Sequence, residues 1–325
     1  MWLLETIQAT SHTPQATTQA RQKMPPQPWQ KLWIKNAHPR DKDIVFDEPT
    51  HIYTVKGSSK GYISCTGFLH AFFGHFDPDA IIKKMMSSPK WRESKYYGKT
   101  AAEIKAGWNE NGRVASEAGT EMHLGIEMFL NDAADLIPAH VTKTREWSYF
   151  MDFWRDHGAD LEPYRMEWEV WVEEIKLAGS IDGIFRRRSD GRFLIYDWKR
   201  SKEIKTSNGF QSGLGPMSHL PDCNYWHYSL QLNVYRWILE TYYGLDVADM
   251  YLVIMHPDAK GYKRMRLNRM DDEVAAMVEC RRRAVALEPD PRAVPVRFAE
   301  GEESVDEEED AISQDNDGPC MIHLG

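Results

Sequence analysis

Two acids and an amine stand close together in the stretch AGSIDGIFRRRSDGRFLIYDWKRSK, from Ala178 to Lys202. Asp182, Asp197 and Lys199 interrupt or end apolar runs, where a charge is costly to bury. Asp190-Gly191 is the dipeptide of a two-residue hairpin turn, and with that turn Ser189 pairs with Arg192. Asp182 then lies opposite Lys199, and Ile184 opposite Asp197, so the three charged groups project from one side of the ladder. Two carboxylates offer hard oxygen ligands to a divalent cation, and a lysine beside them can touch whatever the cation activates.

Several elements must hold these groups. Three strand-like runs, MEWEVWVEEI, LAGSIDGIFRRR and RFLIYDW, follow one another through short turns and read as an antiparallel meander. A helix near Arg145 to His157 precedes them, and a helix of about Tyr228 to Tyr243, ending at Gly244, leads into the strand MYLVIMH. Upstream, AAEIKAGWNENGRVASEAGTEMHLGIEMFLND reads as helix in two pieces broken at Asn111-Gly112, the second with Ala118, Met122, Ile126 and Phe129 on one apolar stripe. Before it, HIYTV and YISCT flank KGSSKG as a hairpin, and AIIKKMM reads as helix. The order helix, three antiparallel strands, helix, strand, with helices covering the sheet, predicts an α/β fold of the α+β sandwich kind.

With 42% hydrophobic residues in 325, the chain can bury a sizeable core. Apolar runs such as Tyr251 to Met255 are too short to span a bilayer, and Glu5 interrupts the N-terminal segment, so neither a membrane nor a secretory route is expected. Cys65, Cys223, Cys280 and Cys320 are scattered, with no CxxC pair, which predicts a reduced, intracellular protein. The formal charge is -9, but Ala299 to Gly325 carries ten acids and no Lys or Arg, which leaves +1 on residues 1–298. That body holds local basic clusters: Arg186, Arg187, Arg188 and Arg192; Arg200, Lys202 and Lys205; and Lys263, Arg264, Arg266 and Arg269. The first two of these are expected beside the acidic pair and Lys199. The predicted organisation is a flexible arm at 1–40, from which Trp29, Leu32, Trp33 and Ile34 could dock on the body, a body at 41–298, and a disordered acidic tail at 299–325.

Four motifs in order carry a resemblance: GxxxH at Gly119 to His123, GxxD at Gly179 to Asp182, DxK at Asp197 and Lys199, and QxxxY at Gln231 to Tyr235. Together, over roughly Asp41 to Pro257, they resemble the PD-(D/E)xK nuclease superfamily. Their spacing is similar to the RecB-type exonucleases, a branch that includes the mitochondrial genome maintenance exonuclease and viral or phage relatives. The resemblance implies a restriction-endonuclease-like αβββαβ core and a metal-dependent exonuclease acting on single-stranded DNA or free ends. By the same resemblance Asp182 and Asp197 bind Mg²⁺ or Mn²⁺, the Trp198 carbonyl adds an oxygen ligand, and His123 adds a nitrogen that favours Mn²⁺. Lys199 orients the attacking water or neutralises the developing charge, and Gln231 and Tyr235 steady the site or the substrate strand. The GSID segment lacks the proline that often precedes the first motif acid.

Other readings fit some of these residues. An endonuclease of the same fold, on RNA or DNA, uses the same metal site, and a nucleic-acid-binding protein without catalysis needs only the fold. Asp182 and Lys199 could be a cross-strand ion pair, His123 a satisfied core histidine, and Gln231 and Tyr235 an ordinary polar face. Glu169, Glu173 and Glu174 lie on the preceding strand, where one could serve a second ion. Trp91, Tyr96, Tyr97 and Trp108 could stack on bases or fill a core. YYGKT contains the Gly-Lys-Thr of a phosphate loop, but Glu93 stands where the first glycine is needed. His219, Cys223 and His227 resemble a zinc spacing without a fourth ligand.

Overall fold

Strand β5 (Leu177–Arg187) pairs antiparallel with β4 (Leu161–Val172) along one edge and with β6 (Phe193–Lys199) along part of the other. The structure is a computed structural model and describes residues 27 and 29–287. β6 runs parallel to β7 (Val247–Ile254), which pairs antiparallel with β8 (Lys263–Leu267), and the short β3 (Ile63–Ser64) lies parallel to the start of β5. The result is a six-stranded mixed sheet, with β4 packed along β5 and the others in the order β3-β5-β6-β7-β8.

Helices cover both faces, as the alternation along the strands requires. On β6, Leu194, Tyr196 and Trp198 pack against α4 (Ala101–Leu130) and α5 (Arg145–His157), through Met122, Ile126, Phe150 and Phe153. Ile195 on the opposite face joins the core made by α2 (Cys65–His70), α6 (Asn224–Tyr242) and α7 (Asp271–Ala286). This is the helix, three strands, helix, strand order predicted from the sequence, extended by β8 and α7. Among the described residues no helix is long and apolar enough to cross a membrane.

Two local expectations are corrected. HIYTV and YISCT do not pair with each other. Instead β2 (Ile52–Val55) pairs with β1 (Ile44–Asp47), because the Val55 N–H turns back to the Ser58 carbonyl at 2.9 Å and ends the strand there. YISCT yields only β3, since the Ser64 hydroxyl accepts from the Gly67 N–H and so starts α2. The second correction is that α4 is continuous through Asn111-Gly112. Arg113 bridges Glu110 and Glu117 across the glycine, and Thr100 with Glu103 closes a capping box at its start.

Of the arm expected at 1–40, α1 (Lys31–Lys35) lies on the body. Leu32 is buried and its N–H donates to Asn131 Oδ1 at 2.9 Å, while Ile34 stays exposed. α3 (Pro78–Met86) belongs to a separate small cluster with the first half of α4. The acidic tail at 299–325 lies outside the described residues.

Candidate active site

The turn joining β5 to β6 has four residues, not two. Arg187 N–H donates to the Arg192 carbonyl at 2.8 Å, and the ladder runs from Arg186 opposite Phe193 to Gly183 opposite Tyr196. The turn is opened by a tertiary contact: the Arg188 N–H goes to the Asp160 carbonyl, and the Asp160 carboxylate takes the Ser189 N–H and hydroxyl. Each strand gives up one residue to the turn, so partners shift by two and every side chain keeps its face. Continued one step, this register brings Asp182 level with Asp197 in place of Lys199.

The ladder stops at that step. On the edge away from β4, β5 pairs with β3 at Leu177 and Ala178 and with β6 from Gly183 onward, so Gly179 to Asp182 face a notch in the sheet. β6 meanwhile follows β7 through Lys199 opposite Ile254. The Trp198 N–H, which points into the notch, donates to Asp182 Oδ2 at 2.9 Å.

A second irregularity meets the first. Along β4, Met166 packs on the α4/α5 side, but Trp168, Val170 and Val172 pack on the α2/α6 side. β5 changes face at the same level: Ile181 packs with α2 and α6, whereas a Cβ on Gly183 would meet Phe185 and Trp198 of the other core. The reversal falls at Glu167 and Asp182. Glu167 has φ of 43°, a left-handed backbone that costs a non-glycine residue about 1–3 kcal/mol.

His123 reaches this level from α4. Its Nδ1 lies 3.5 Å from Glu167 Oε1 and 3.7 Å from Asp182 Oδ2, and its Nε2 lies 2.9 Å from the Trp198 carbonyl. Hydrogen-bonded through Nε2 to that carbonyl, the imidazole presents Nδ1 to the two carboxylates. Burial alone would lower the His123 pKa, but Asp182 and Glu167 outweigh it and raise it to about 10. Burial raises the Asp182 carboxyl against the pull of His123. Burial also lifts Asp197 to about 6, with Lys199 opposing and Asp182 adding to the shift. Lys199 Nζ sits 3.1 Å from Asp197 Oδ2 and 4.7 Å from the centre of the Tyr228 ring.

The other expected site residues are placed more loosely. Tyr235 is buried against Gly179, where an added Cβ would come within 2.8 Å of its ring and hydroxyl, and the charges of Asp182 and Asp197 act on its phenol. Gln231 donates to the Thr66 hydroxyl on α2 at 3.2 Å. Glu173 and Glu174 lie past the end of β4, on Lys56 and on Tyr242 with Arg282. Two acids not anticipated from the sequence lie at the site. Glu167 is one, and Glu127, one turn after His123, is the other; burial, then Glu167, raises the Glu127 carboxyl to about 7. The i, i+4 spacing of His123 and Glu127 is a signal in the sequence; for Glu167 the alternation gives none.

Other expectations are corrected. The arginines of 186–192 are not beside the site: five residues of strand separate Asp182 from Arg187, about 17 Å at 3.4 Å per residue. Arg187 pairs with Asp190 and Asp249, Arg188 with Glu162 and Arg192 with Asp246. His219 pairs with Glu273 and His227 with Asp222, and Thr100 of YYGKT is the cap of α4.

His123, Glu167 and Asp182 present one nitrogen and two carboxylate oxygens within 4.8 Å of one another. That donor set fits a divalent cation such as Mn²⁺ or Mg²⁺. No family model and no curated protein matches the chain. Among solved structures, SSO0001 is 18% identical over 72% of this chain and 80% of its own, with a TM-score of 0.29. A "Putative exonuclease" from Eubacterium rectale is 10% identical over 70% of this chain and 79% of its own, with a TM-score of 0.38. At such scores neither likeness bears on the site.

Proposed function

We propose that this protein is a divalent-metal-dependent nuclease that hydrolyses phosphodiester bonds in DNA, working as an exonuclease on single strands or free ends. One observation carries the reading: His123, Glu167 and Asp182 converge within 4.8 Å at a notch whose other wall holds Asp197 and Lys199. Strained backbone at Glu167, two half-buried carboxylates on one histidine and the buried Asp197 beyond them make poor packing and a good cation site.

When bound, Mg²⁺ or Mn²⁺ supplies Lewis acidity toward a phosphate oxygen and lowers the pKa of a water. His123, Glu167 and Asp182 would hold it, and Asp197 extends the acidic wall. Trp198 positions both sides, because its N–H fixes the Asp182 carboxylate and its carbonyl fixes the His123 ring. Lys199, held between Asp197 and the Tyr228 ring, supplies a cation where negative charge grows on the phosphate.

The test is digestion of linear single-stranded, linear duplex and circular DNA, and of RNA, in Mn²⁺, Mg²⁺ or EDTA. Linear DNA should shorten in either metal, circles should persist, and Asp182→Asn and Lys199→Ala should be inert. Cut circles would make the protein an endonuclease. Intact substrates of every kind in both metals would defeat the nuclease reading.

A further inference from the structure

Residues 78–108 form a helical arm with a core of its own. Ile82 of α3, Tyr96, Ile104 and Trp108 are buried together, and Trp108 Nε1 donates to the Tyr96 hydroxyl at 2.9 Å. These two aromatic rings are therefore used in packing. Tyr97 is not: it is 55% exposed and meets the edge of Trp91 at 6.0 Å. Exposed Arg92, Lys95 and Lys99 surround it in sequence, and the Lys95 and Lys99 ammonium groups lie 5.2 and 5.8 Å from the neighbouring Tyr96 ring.

The charge of the arm runs against that of the chain. From Pro78 to Lys105 seven lysines and arginines stand against three acids, a net +4 in a protein of -9. In the 186–192 turn, acids neutralise Arg187, Arg188 and Arg192. Arg92 and Lys99 are exposed and have no carboxylate within 4.0 Å among the described residues, although the Lys99 charge also acts on Glu103.

We infer that the tip of this arm, Tyr97 with Arg92 and Lys99, is a second binding site for single-stranded nucleic acid, separate from the notch. An exposed ring with exposed cations two and five residues away suits a strand whose base stacks on the ring while its phosphates meet the cations. An acidic protein segment would engage the cations and leave Tyr97 unused. The choice of nucleic acid as partner rests on the nuclease reading; the geometry of the arm does not.

The fold also fixes the separation of the two sites. α4 runs unbroken from its cap at Thr100 to His123, 23 residues or about 35 Å at 1.5 Å per residue. In the middle of the helix Asn111, Arg113 and Val114 are exposed, and Arg113 pairs with Glu110 and Glu117 along that surface. A strand gripped at the tip would thus enter the notch at a set distance from its held nucleotides.

The experiment is fluorescence anisotropy of a labelled thirty-nucleotide oligo-dT with the full chain in EDTA, which reads binding without cleavage. Tyr97→Ala should weaken binding about tenfold, and Tyr97→Phe should keep it, since the stack needs the ring and not the hydroxyl. Arg92→Ala with Lys99→Ala should flatten the slope of log affinity against log salt by about 1.4, roughly 0.7 for each phosphate that no longer meets a cation. Absence of oligo-dT binding, unchanged affinity in Tyr97→Ala, or displacement by polyglutamate as effective as by unlabelled oligo-dT would overturn the assignment. If Tyr97-dependent binding is found in a protein that cleaves nothing in Mn²⁺, the nuclease reading fails and this one stands.

Discussion

The carboxylate of Asp182 takes the backbone N–H of Trp198 at 2.9 Å, a bond that a regular ladder would give to a carbonyl of β5. Asp182 is thereby a structural wedge as well as a candidate ligand, for it holds β6 off β5 where the notch opens. The two roles can be separated. Asp182→Asn keeps an acceptor for Trp198 and removes a buried charge, so it should be at least as stable as the wild type. Asp182→Ala leaves that N–H without its acceptor and should lose about 1–3 kcal/mol. Both should lose Mn²⁺ binding; urea unfolding and Mn²⁺ titration of the two variants check the split.

The proton on His123 sets a pH dependence for the metal. With a pKa raised to about 10, the imidazole is protonated at neutral pH and must lose that proton to ligate. Apparent Mn²⁺ affinity should therefore rise about tenfold per pH unit between pH 7 and 9. Below about 6, where Asp197 also takes up a proton, the dependence should steepen. His123→Ala should flatten the upper limb, and calorimetry in two buffers of different ionisation enthalpy should count one proton released by the wild type.

Glu167 offers a test of strain held for function. Its φ of 43° is relaxed for glycine, so Glu167→Gly should match or exceed the wild type in stability by about 1 kcal/mol, despite lying in a sheet. The same change should cut Mn²⁺ affinity by tenfold or more. Glu169→Gln on the same strand serves as the control and should leave metal affinity near the wild-type value. A stable Glu167→Gly with full Mn²⁺ affinity would remove Glu167 from the site.

Gly179 marks where α6 meets the sheet. A methyl group there would lie 2.8 Å from the Tyr235 ring and 3.0 Å from Cys65 Cβ, with no room to relax between two packed elements. Gly179→Ala should cost about 1–3 kcal/mol through overpacking. Gly179→Ala with Tyr235→Phe should recover little, because the ring carbon clashes as well as the hydroxyl; a denaturation series over the three proteins measures this.

Periodicity alone made much of the fold legible. The apolar spacing of Arg145 to His157 specified α5, and alternation specified β6, because a helix or strand with one buried face must repeat at 3.6 or 2 residues. That the charges of Asp182, Asp197 and Lys199 act on one another was readable from the hairpin, since a register error of two leaves them neighbours, but the change of face at Asp182 itself was not. Glu167 was not readable: a single left-handed residue reverses the alternation, and no local pattern requires it. The width of the 188–191 turn depended on Asp160, nearly thirty residues away. The division of labour among Tyr96, Tyr97 and Trp108 was likewise a tertiary matter. All three are aromatic and close in sequence, and only the packing of α3 on α4 decides which two are covered and which one faces water.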